Sequence, residues 1–330
     1  MSAGHTPPSA FVPARWLPGG HAQTVFANFA RPFPRRRGRR ERWELPDGDF
    51  LDLDRFVGSS PDAPVLLVCH GLEGSSRAPY VRGLVSSALR HGLGALALNF
   101  RGCSGEPNRL PRFYHSGETG DLDAVVRRTA AERPGRPVLL AGFSLGGNVV
   151  AKYLGERGED LPPEVRAGAV ISVPFDLSRS ARALDGPGLM MWVYRERFLR
   201  RLRRKALAKA RRFPEAIDAA RVAAARTFAA YDAALTAPLH GFASAEDYWS
   251  RCSSARFLGG VRRPLLAISS LDDPLVPAES LPVEAARANP RIALELTAGG
   301  GHVAFVAGSP LRPRYFADER AAEFLAAHAR

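Results

Sequence analysis

The feature that most constrains the fold of this 330-residue chain is an alternation of short apolar runs with helical patterns. Six runs of five or six residues are mostly apolar on both faces, as strands are when helices cover both sides of a parallel sheet. The runs are Val65–Cys69, Ala95–Phe100, Val138–Phe143, Ala169–Val173, Leu265–Ser269 and Ile292–Leu296. Helical patterns occupy about 79–91, 119–133, 146–157, 278–288 and 318–328. This order predicts a parallel sheet covered by helices.

Two segments depart from the alternation. Arg42–Leu45 and Phe50–Phe56 flank an Asp47-Gly48 turn, and Asp-Gly between strand-like runs indicates an antiparallel hairpin. Residues 175–255 contain no good strand, so we expect several helices inserted between two strands of the sheet. The predicted division is an N-terminal arm at 1–40, a core at 41–174 and 256–330, and the insertion at 175–255.

A nucleophile is indicated by Gly142-Phe143-Ser144-Leu145-Gly146, which follows an apolar run and precedes a helical pattern. A serine in such a strand–turn–helix setting is held on a sharp turn, and the flanking glycines avoid clashes there. The start of the following helix favours negative charge beside the serine. The alternative is a structural glycine turn, but this setting favours Ser144 as the nucleophile.

A serine nucleophile needs a base and a group that orients the base. His302 stands in a Gly-rich loop just after the Ile292–Leu296 run, and Asp272 and Asp273 follow Leu265–Ser269. Both loops come at strand ends, where sites of such sheets form. Spacing alone leaves the two aspartates open. The acid of this fold class commonly stands four residues before a proline, so Pro277 favours Asp273 and leaves Asp272 to hydrogen-bond the loop.

The tetrahedral intermediate of such chemistry needs two N–H donors for its oxyanion. One is expected from Leu145, next to Ser144, and the other from Leu72 in the His70–Gly74 loop after the first parallel strand. The chain has no Walker A motif, no CxxC pair and no HExxH pattern, so we expect no cofactor and no metal. The sequence does not identify substrate-binding residues.

The net charge of +13 is uneven, and arginines make up 43 of the 46 basic residues. Residues 31–42 carry +6 and residues 195–212 carry +9, which exceeds the total by 2, so the rest of the chain carries −2. Strong basicity is typical of proteins that bind nucleic acid or anionic lipid. Here it belongs to two short segments, and no RNA- or DNA-binding motif accompanies it, so no nucleic-acid partner is expected.

Location is suggested by what the first residues and the cysteines lack. The first 30 residues have no apolar core of a signal peptide. Three cysteines, Cys69, Cys103 and Cys252, form no even disulfide set and fit a reducing compartment. We therefore expect a cytoplasmic protein that can associate with a membrane surface.

Several longer motifs carry a resemblance over nearly the whole chain. They are Trp16–Thr24, Glu41–Asp49, His70–Gly74, Asn99–Glu106 and Tyr114–Thr119. On these motifs the chain resembles the YheT-like branch of the α/β-hydrolases, which is related to the ABHD1/2/3 subgroup of animals. The resemblance implies an α/β-hydrolase fold: a mostly parallel central sheet, an N-terminal antiparallel hairpin and an inserted helical lid. It also implies that Ser144, Asp273 and His302 are the nucleophile, acid and base.

The predicted function is a serine carboxylic-ester hydrolase that acts on a small-molecule ester or acylglycerol through an acyl-enzyme on Ser144. An alcohol acceptor in place of water makes it an acyltransferase. A rival from another class is a basic nucleic-acid- or membrane-binding protein on a hydrolase scaffold. In the insertion, apolar residues between Phe198 and Phe213 share one helical face with arginines opposite. Such a helix either packs on the core or contacts an anionic membrane.

Overall fold

The computed structural model describes residues 9–31 and 37–329, so parts of the predicted arm and of the Arg-rich segment 31–42 lie outside the described residues. Within the described ranges, eight strands form one sheet in the order β1-β2-β4-β3-β5-β6-β7-β8, and two more form a separate hairpin. The strands are β1 (Arg39–Glu44), β2 (Phe50–Phe56), β3 (Val65–Cys69), β4 (Gly94–Asn99), β5 (Val138–Phe143), β6 (Val165–Ile171), β7 (Leu265–Ser270), β8 (Ile292–Thr297), β9 (Val306–Ser309) and β10 (Arg312–Tyr315).

Helices connect the strands and cover the sheet. They are α1 (Gly19–Phe29), α2 (Pro79–Arg90), α3 (Gly120–Glu132), α4 (Leu145–Arg157), α5 (Leu177–Leu184), α6 (Leu189–Ala210), α7 (Ala219–Ala224), α8 (Phe228–Tyr231), α9 (Ala237–Leu239), α10 (Ala245–Cys252), α11 (Val283–Ala288) and α12 (Phe316–Ala327). A π-helical turn over Asp232–Thr236 joins α8 to α9. Among the described residues, no helix is both long and apolar enough to cross a membrane.

The sheet has the predicted mixed character. β1 and β2 pair antiparallel, β2 pairs antiparallel with β4, and the strands from β4 to β8 run parallel. Apolar side chains from α3 and α4 pack on one face, and those from α2 and α12 pack on the other. This confirms the predicted mostly parallel sheet with an antiparallel start. It also places the carboxyl ends of β3, β5, β7 and β8 at one edge, where a site can form.

The largest differences from the predicted strand bounds are at β1, which begins at Arg39 instead of Arg42, and at β6. The run Ala169–Val173 was expected to be a strand, but β6 covers Val165–Ile171. Ser172 leaves the strand conformation with a φ of 52°. Its hydroxyl accepts a hydrogen bond from the amide of Val303 at 2.9 Å. The end of the apolar run therefore supports a distant loop instead of extending the sheet.

The helical insertion lies between β6 and β7, as the absence of strand patterns predicted. Helices α5 to α10 occupy it and enclose an apolar cluster of their own. In α6, Leu199 and Ala206 are buried as expected. Phe213, however, follows the end of α6, and the half-buried Lys205 and buried Lys209 point into the protein. The expected separation of apolar and basic faces is therefore incomplete.

Candidate active site

Ser144 lies at the turn between β5 and α4, where the backbone has φ 51° and ψ −120°. A positive φ is strained for a residue with a side chain, and such strain persists only where the surroundings impose it. A Cβ on Gly142 would lie 2.3 Å from the carbonyl oxygen of Gly146, and a Cβ on Gly146 would lie 2.4 Å from that of His70. Only glycine fits at both flanking positions, because these neighbours are backbone atoms.

The structure brings His302 and Asp273 to Ser144. His302 Nε2 lies 2.9 Å from Ser144 Oγ, and His302 Nδ1 lies 2.8 Å from Asp273 Oδ2. The other carboxylate oxygen of Asp273 accepts hydrogen bonds from the amides of Leu275 and Val276 at 2.8 and 3.1 Å. These two amides fix the carboxylate so that one oxygen faces the imidazole. The arrangement can move a proton from a hydroxyl to an imidazole that a carboxylate stabilises.

Asp272, the other aspartate that spacing left open, holds the histidine loop instead. Its Oδ1 accepts hydrogen bonds from the hydroxyl of Ser270 at 2.5 Å and from the amide of Gly301 at 2.8 Å. The two aspartates thus lie on the same loop but have different partners. The chain turns at residues 271–272, and the two side chains leave this turn toward different partners.

Helix α1 braces the same loop, which the sequence prediction did not include. The hydroxyl of Thr24 accepts a hydrogen bond from the amide of His302 at 2.8 Å. The side-chain amide of Gln23 pairs with the backbone of Val306 in both directions, at 2.7 and 3.1 Å. Both side chains are buried. The quoted motif Trp16–Thr24 contained these residues, but nothing in its pattern connects them to a histidine 278 positions away.

The loop of residues 70–74, which follows β3, carries the amide of Leu72 that the sequence predicts as an oxyanion donor. The neighbouring amides are occupied, since Gly71 donates to the hydroxyl of Tyr80 at 3.0 Å and Glu73 donates to that of Tyr114 at 2.8 Å. The amide of Leu72 has no acceptor within residues 9–31 and 37–329. A Cβ on Gly71 would lie 3.3 Å from the Cβ of Ser144, so this loop abuts the serine.

The amide of Leu145 and the side chain of His70 complete this side of the site. As the first residue of α4, Leu145 has an N–H that its own helix leaves without an acceptor. His70 is fully buried, and burial lowers its pKa to about 4. The neutral ring donates from Nδ1 to the carbonyl of Gly71 at 2.7 Å and accepts at Nε2 from the amide of Phe100 at 3.2 Å. A neutral imidazole thus holds the loop that carries Leu72.

Ser144 and His302 open into a cavity of about 450 Å³. Apolar side chains of the inserted helices contribute to its lining. They are Leu177, Leu184, Phe198, Leu202, Phe228 and Leu235, of which Leu177, Phe228 and Leu235 are buried. This buried apolar part of the lining suits a hydrocarbon chain.

The cavity also contains partly buried titratable side chains, one from the motif Tyr114–Thr119 and two from the insertion. Burial raises the pKa of Asp232 to about 6, although the hydroxyl of Thr236 and the indole N–H of Trp249 donate to its carboxylate at 2.6 and 2.8 Å. Burial lowers the pKa of His240 to about 4 and that of the adjacent His115 below its ordinary range. These rings are therefore neutral at pH 7.

Arg101, within the motif Asn99–Glu106, has structural partners. It forms a two-pronged ion pair with Asp121 at 2.6 and 2.8 Å and contacts Asp49 at 3.1 Å.

No cluster of three or more His, Cys, Asp or Glu side chains suited to a metal ion occurs among the residues that the structure describes.

Comparison with known sequences identifies the family. Residues 64–309 match the family defined by the alpha/beta hydrolase fold. The chain belongs to the α/β-hydrolase family. It is 36% identical over 319 residues to the protein named "Putative esterase YheT" of Escherichia coli (strain K12). The match covers 96% of this chain and 92% of YheT. The chain therefore belongs to the YheT-like branch of the family.

Two further relatives carry names that describe lipid ester hydrolysis. The phospholipase ABHD3 of Mus musculus is 32% identical, covering 90% of this chain and 74% of that protein. The monoacylglycerol lipase of Saccharomyces cerevisiae is 31% identical, covering 80% of this chain and 58% of that protein. Together with the family, these relatives show that the chain is a carboxylic-ester hydrolase.

Solved structures agree on the fold. The Pyrococcus furiosus esterase Pf2001 superposes with a TM-score of 0.58 at 19% identity, covering 90% of this chain and 94% of that one. Est1E of Butyrivibrio proteoclasticus gives 0.58 at 16% identity, covering 86% and 98%. At these identities the likeness concerns the arrangement of the chain and not its substrate.

Proposed function

We propose that Ser144, His302 and Asp273 form a catalytic triad that hydrolyses a carboxylic ester through an acyl-enzyme. The observation that carries this proposal is the continuous chain of contacts from Ser144 Oγ through His302 to Asp273, at 2.9 and 2.8 Å. It stands beside two amides, of Leu72 and Leu145, that are available to an oxyanion.

In the proposed first half-reaction, Ser144 Oγ attacks the ester carbonyl carbon while His302 Nε2 takes the hydroxyl proton. Asp273 accepts a hydrogen bond from the Nδ1–H of His302 and stabilises the imidazolium that forms. The carbonyl oxygen becomes an oxyanion that accepts hydrogen bonds from the amides of Leu72 and Leu145. The C–O bond to the alcohol then breaks, and His302 returns the proton to the leaving alcohol.

In the second half-reaction, His302 removes a proton from water as the water attacks the acyl-enzyme. The tetrahedral intermediate collapses, the carboxylic acid leaves, and His302 returns its proton to Ser144. Each oxyanion donor of this kind typically contributes about 10²–10³ in rate. The buried, neutral His70 supports that contribution because it holds the Leu72 loop without adding charge.

For the substrate we propose an ester of a fatty acid with a glycerol-type alcohol. The buried apolar side chains that line the cavity, such as Phe228 and Leu235, support binding of an acyl chain. The names of two relatives, a phospholipase and a monoacylglycerol lipase, support the same substrate class.

We also propose that residues 175–255 act as a lid over a core formed by 41–174 and 256–330, with 1–40 as an arm. Helices α5 to α10 have their own apolar cluster, and several of their side chains line the cavity that contains Ser144. When closed, a cover of this kind shields the site from bulk water. When it moves, it admits substrate and releases product.

Contact with an anionic membrane is a further part of the proposal. Leu189 and Trp192, in the first turn of α6, are 74% and 53% exposed, and they precede the basic residues of the same helix. Exposed apolar side chains beside basic residues are typical of helices that contact an anionic membrane surface. We expect wild type to float with phosphatidylglycerol vesicles at low salt and Trp192→Ala to float less. Leu311→Ala, which removes a residue 94% exposed on the β9–β10 turn, is the matched control. No flotation of wild type contradicts membrane contact.

The triad is tested by labelling with a fluorophosphonate probe, which reacts with activated serines. We expect wild type to be labelled and Ser144→Ala to be neither labelled nor active, with a loss in kcat of at least about 10⁴-fold. Ser86→Ala, on α2 and away from the cavity, is the control variant and should retain both properties. Labelling that survives in Ser144→Ala refutes the proposed nucleophile.

Hydrolysis and acyl transfer are separated by product analysis. A series of p-nitrophenyl esters of increasing acyl length measures which chains the cavity accepts. Added glycerol then competes with water for the acyl-enzyme. Free acid as the main product supports hydrolysis, and acylated glycerol as the main product supports the acyltransferase alternative.

A further inference from the structure

A row of basic side chains follows one stripe of α6. Arg197, Arg201, Lys205 and Lys209 recur every four residues, so they lie one above another on the helix. The two inner members have partners in the core. Lys205 Nζ lies 2.9 Å from a carboxylate oxygen of Glu73, and Lys209 Nζ donates to two backbone carbonyls at 2.7 and 2.9 Å.

The two outer members have no carboxylate partner. Arg197 and Arg201 form no ion pair with any residue in the ranges that the structure describes, and the guanidinium of Arg197 lies 4.7 Å above the ring of Phe29. Burial and the neighbouring charge of Arg201 lower the pKa of Arg197. Residues 1–8 and 32–36 contain no Asp or Glu to supply a partner. This part of the row is therefore positive and uncompensated.

A third arginine faces the same space from the core. Arg77 lies just beyond the loop of residues 70–74 that abuts Ser144, and within the described part of the chain it too has no acidic partner. All three arginines line the cavity that contains Ser144 and His302. Arg77 and Arg201 are exposed, and Phe29 beside them is 72% exposed, so they lie at the opening of the cavity.

The orientation of an ester in this cavity follows from the exposure of its lining residues. The buried apolar side chains of Leu177, Phe228 and Leu235 accept the acyl chain, and the carbonyl carbon must reach Ser144. The alcohol part then points to the opening. A positive rim at that opening attracts negative charge, and arginine offers two parallel N–H groups to a phosphate or carboxylate.

We propose that Arg77, Arg197 and Arg201 bind an anionic group, a phosphate or carboxylate, on the alcohol part of the ester substrate. This inference rests on the proposed function and adds to it a substrate class, the acyl ester of a negatively charged alcohol. None of the motifs described above contains these three residues together, because Arg77 follows the loop of residues 70–74 and Arg197 and Arg201 lie in the insertion.

The test compares two soluble substrates that share an acyl chain, 1-hexanoylglycerol and 1-hexanoylglycerol 3-phosphate, both as monomers below their micelle-forming concentrations. The measured quantity is the ratio of kcat/KM for the phosphate ester to that for the neutral ester. For the double variant R197Q/R201Q we expect this ratio to fall by roughly 10- to 100-fold, because each charge-assisted hydrogen bond contributes severalfold to tenfold or more. Raising the salt concentration should lower the wild-type ratio.

The matched control is R200Q/R204Q, which removes the same charge from the same helix on its exposed side, outside the cavity lining. Its ratio should stay within about twofold of wild type, since exposed charges at a distance are screened. The single variant R77Q, on a different segment, should lower the ratio independently if the helix variants fail to fold.

Two results overturn the inference. Equal loss of kcat/KM on both substrates in R197Q/R201Q means that the arginines do not discriminate the anion. Loss of binding to phosphatidylglycerol vesicles with an unchanged ratio on the monomers means that they bind lipid headgroups of a surface and not the substrate. A wild type that hydrolyses both esters through Ser144 keeps the proposed function in either case, whereas hydrolysis that persists in Ser144→Ala refutes the proposed function itself.

Discussion

Replacing Thr24 with valine tests whether α1 positions His302, the proposed general base. The hydroxyl of Thr24 accepts a hydrogen bond from the amide of His302 at 2.8 Å. It donates one to the carbonyl oxygen of Gly20 at 2.7 Å. Thr24 is 2% exposed. Valine keeps the shape of threonine but offers no acceptor, so the amide of His302 stays buried without a partner.

The magnitude follows from that unpaired amide. A buried donor left without an acceptor costs about 1–3 kcal/mol. The free energy of unfolding should fall by that amount, or the loop should shift until the amide finds another acceptor. A shift of about 1 Å in a catalytic group can cost about 10²-fold in rate, so we expect kcat to fall roughly 10- to 100-fold with KM little changed.

The assay combines urea denaturation with steady-state hydrolysis of a p-nitrophenyl ester. Thr24→Ser is the matched control because it keeps the hydroxyl, and it should recover most of the lost kcat. A KM effect without a kcat effect would mean that Thr24 only contacts substrate. Unchanged kcat and unchanged unfolding free energy in Thr24→Val refute the positioning role.

Two further predictions concern packing and pH. Gly146→Ala should be inactive and less stable by about 1–3 kcal/mol, because its Cβ would meet the carbonyl oxygen of His70 at 2.4 Å, while Gly259→Ala, which meets no atom within 4 Å, should be neutral in the same thermal unfolding assay. Asp232→Asn should be more stable than wild type at pH 7 by about 2–3 kcal/mol, because burial raises the folded-state pKa of Asp232 from 3.8 to about 6. Between about pH 4 and 6, Asp232 of the native wild type keeps a proton that the unfolded chain has lost. The free energy of unfolding of wild type therefore falls as pH rises through this range. Denaturation curves at pH 4 and 7 measure the difference, and a constant difference contradicts the burial argument.

The central strands could be predicted because their pattern is local. β3 and β5 have the bounds that their apolar runs indicate, since each is buried on both faces between Gly, Pro or polar residues. β6 could not, because Ser172 and Val173 continue the apolar run while the backbone turns away to hold the Val303 amide. A local pattern contains no information about that distant partner.

Helix α1 could not be predicted from its own residues. It begins at Gly19 after Pro18, has no side-chain cap, and carries Gly20 within its first turn. Its stability comes from tertiary contacts instead. A Cβ on Gly20 would lie 1.8 Å from the carbonyl oxygen of Asp272, so the absence of a side chain permits the close approach of α1 to the acid loop.

The inserted helix α6 was half predictable. Its apolar spacing indicates a helix with a buried stripe, and Leu199 and Ala206 are buried. The spacing does not show that Lys205 and Lys209 share the inward side, because burial of a lysine depends on partners such as Glu73 that come from another part of the chain.

By itself, the sequence determined the alternating fold and the serine on its strand–turn–helix, and it predicted the order of the proposed nucleophile, acid and base. Each of these depends on local periodicity or on residues next to strand ends. Pro277 favoured Asp273, and the structure places its carboxylate against His302. Only the tertiary structure showed that Thr24 holds the His302 amide and that three arginines share the cavity opening. Those contacts join residues as far as 278 positions apart. Their partners are chosen by packing of the whole chain, which no local pattern specifies.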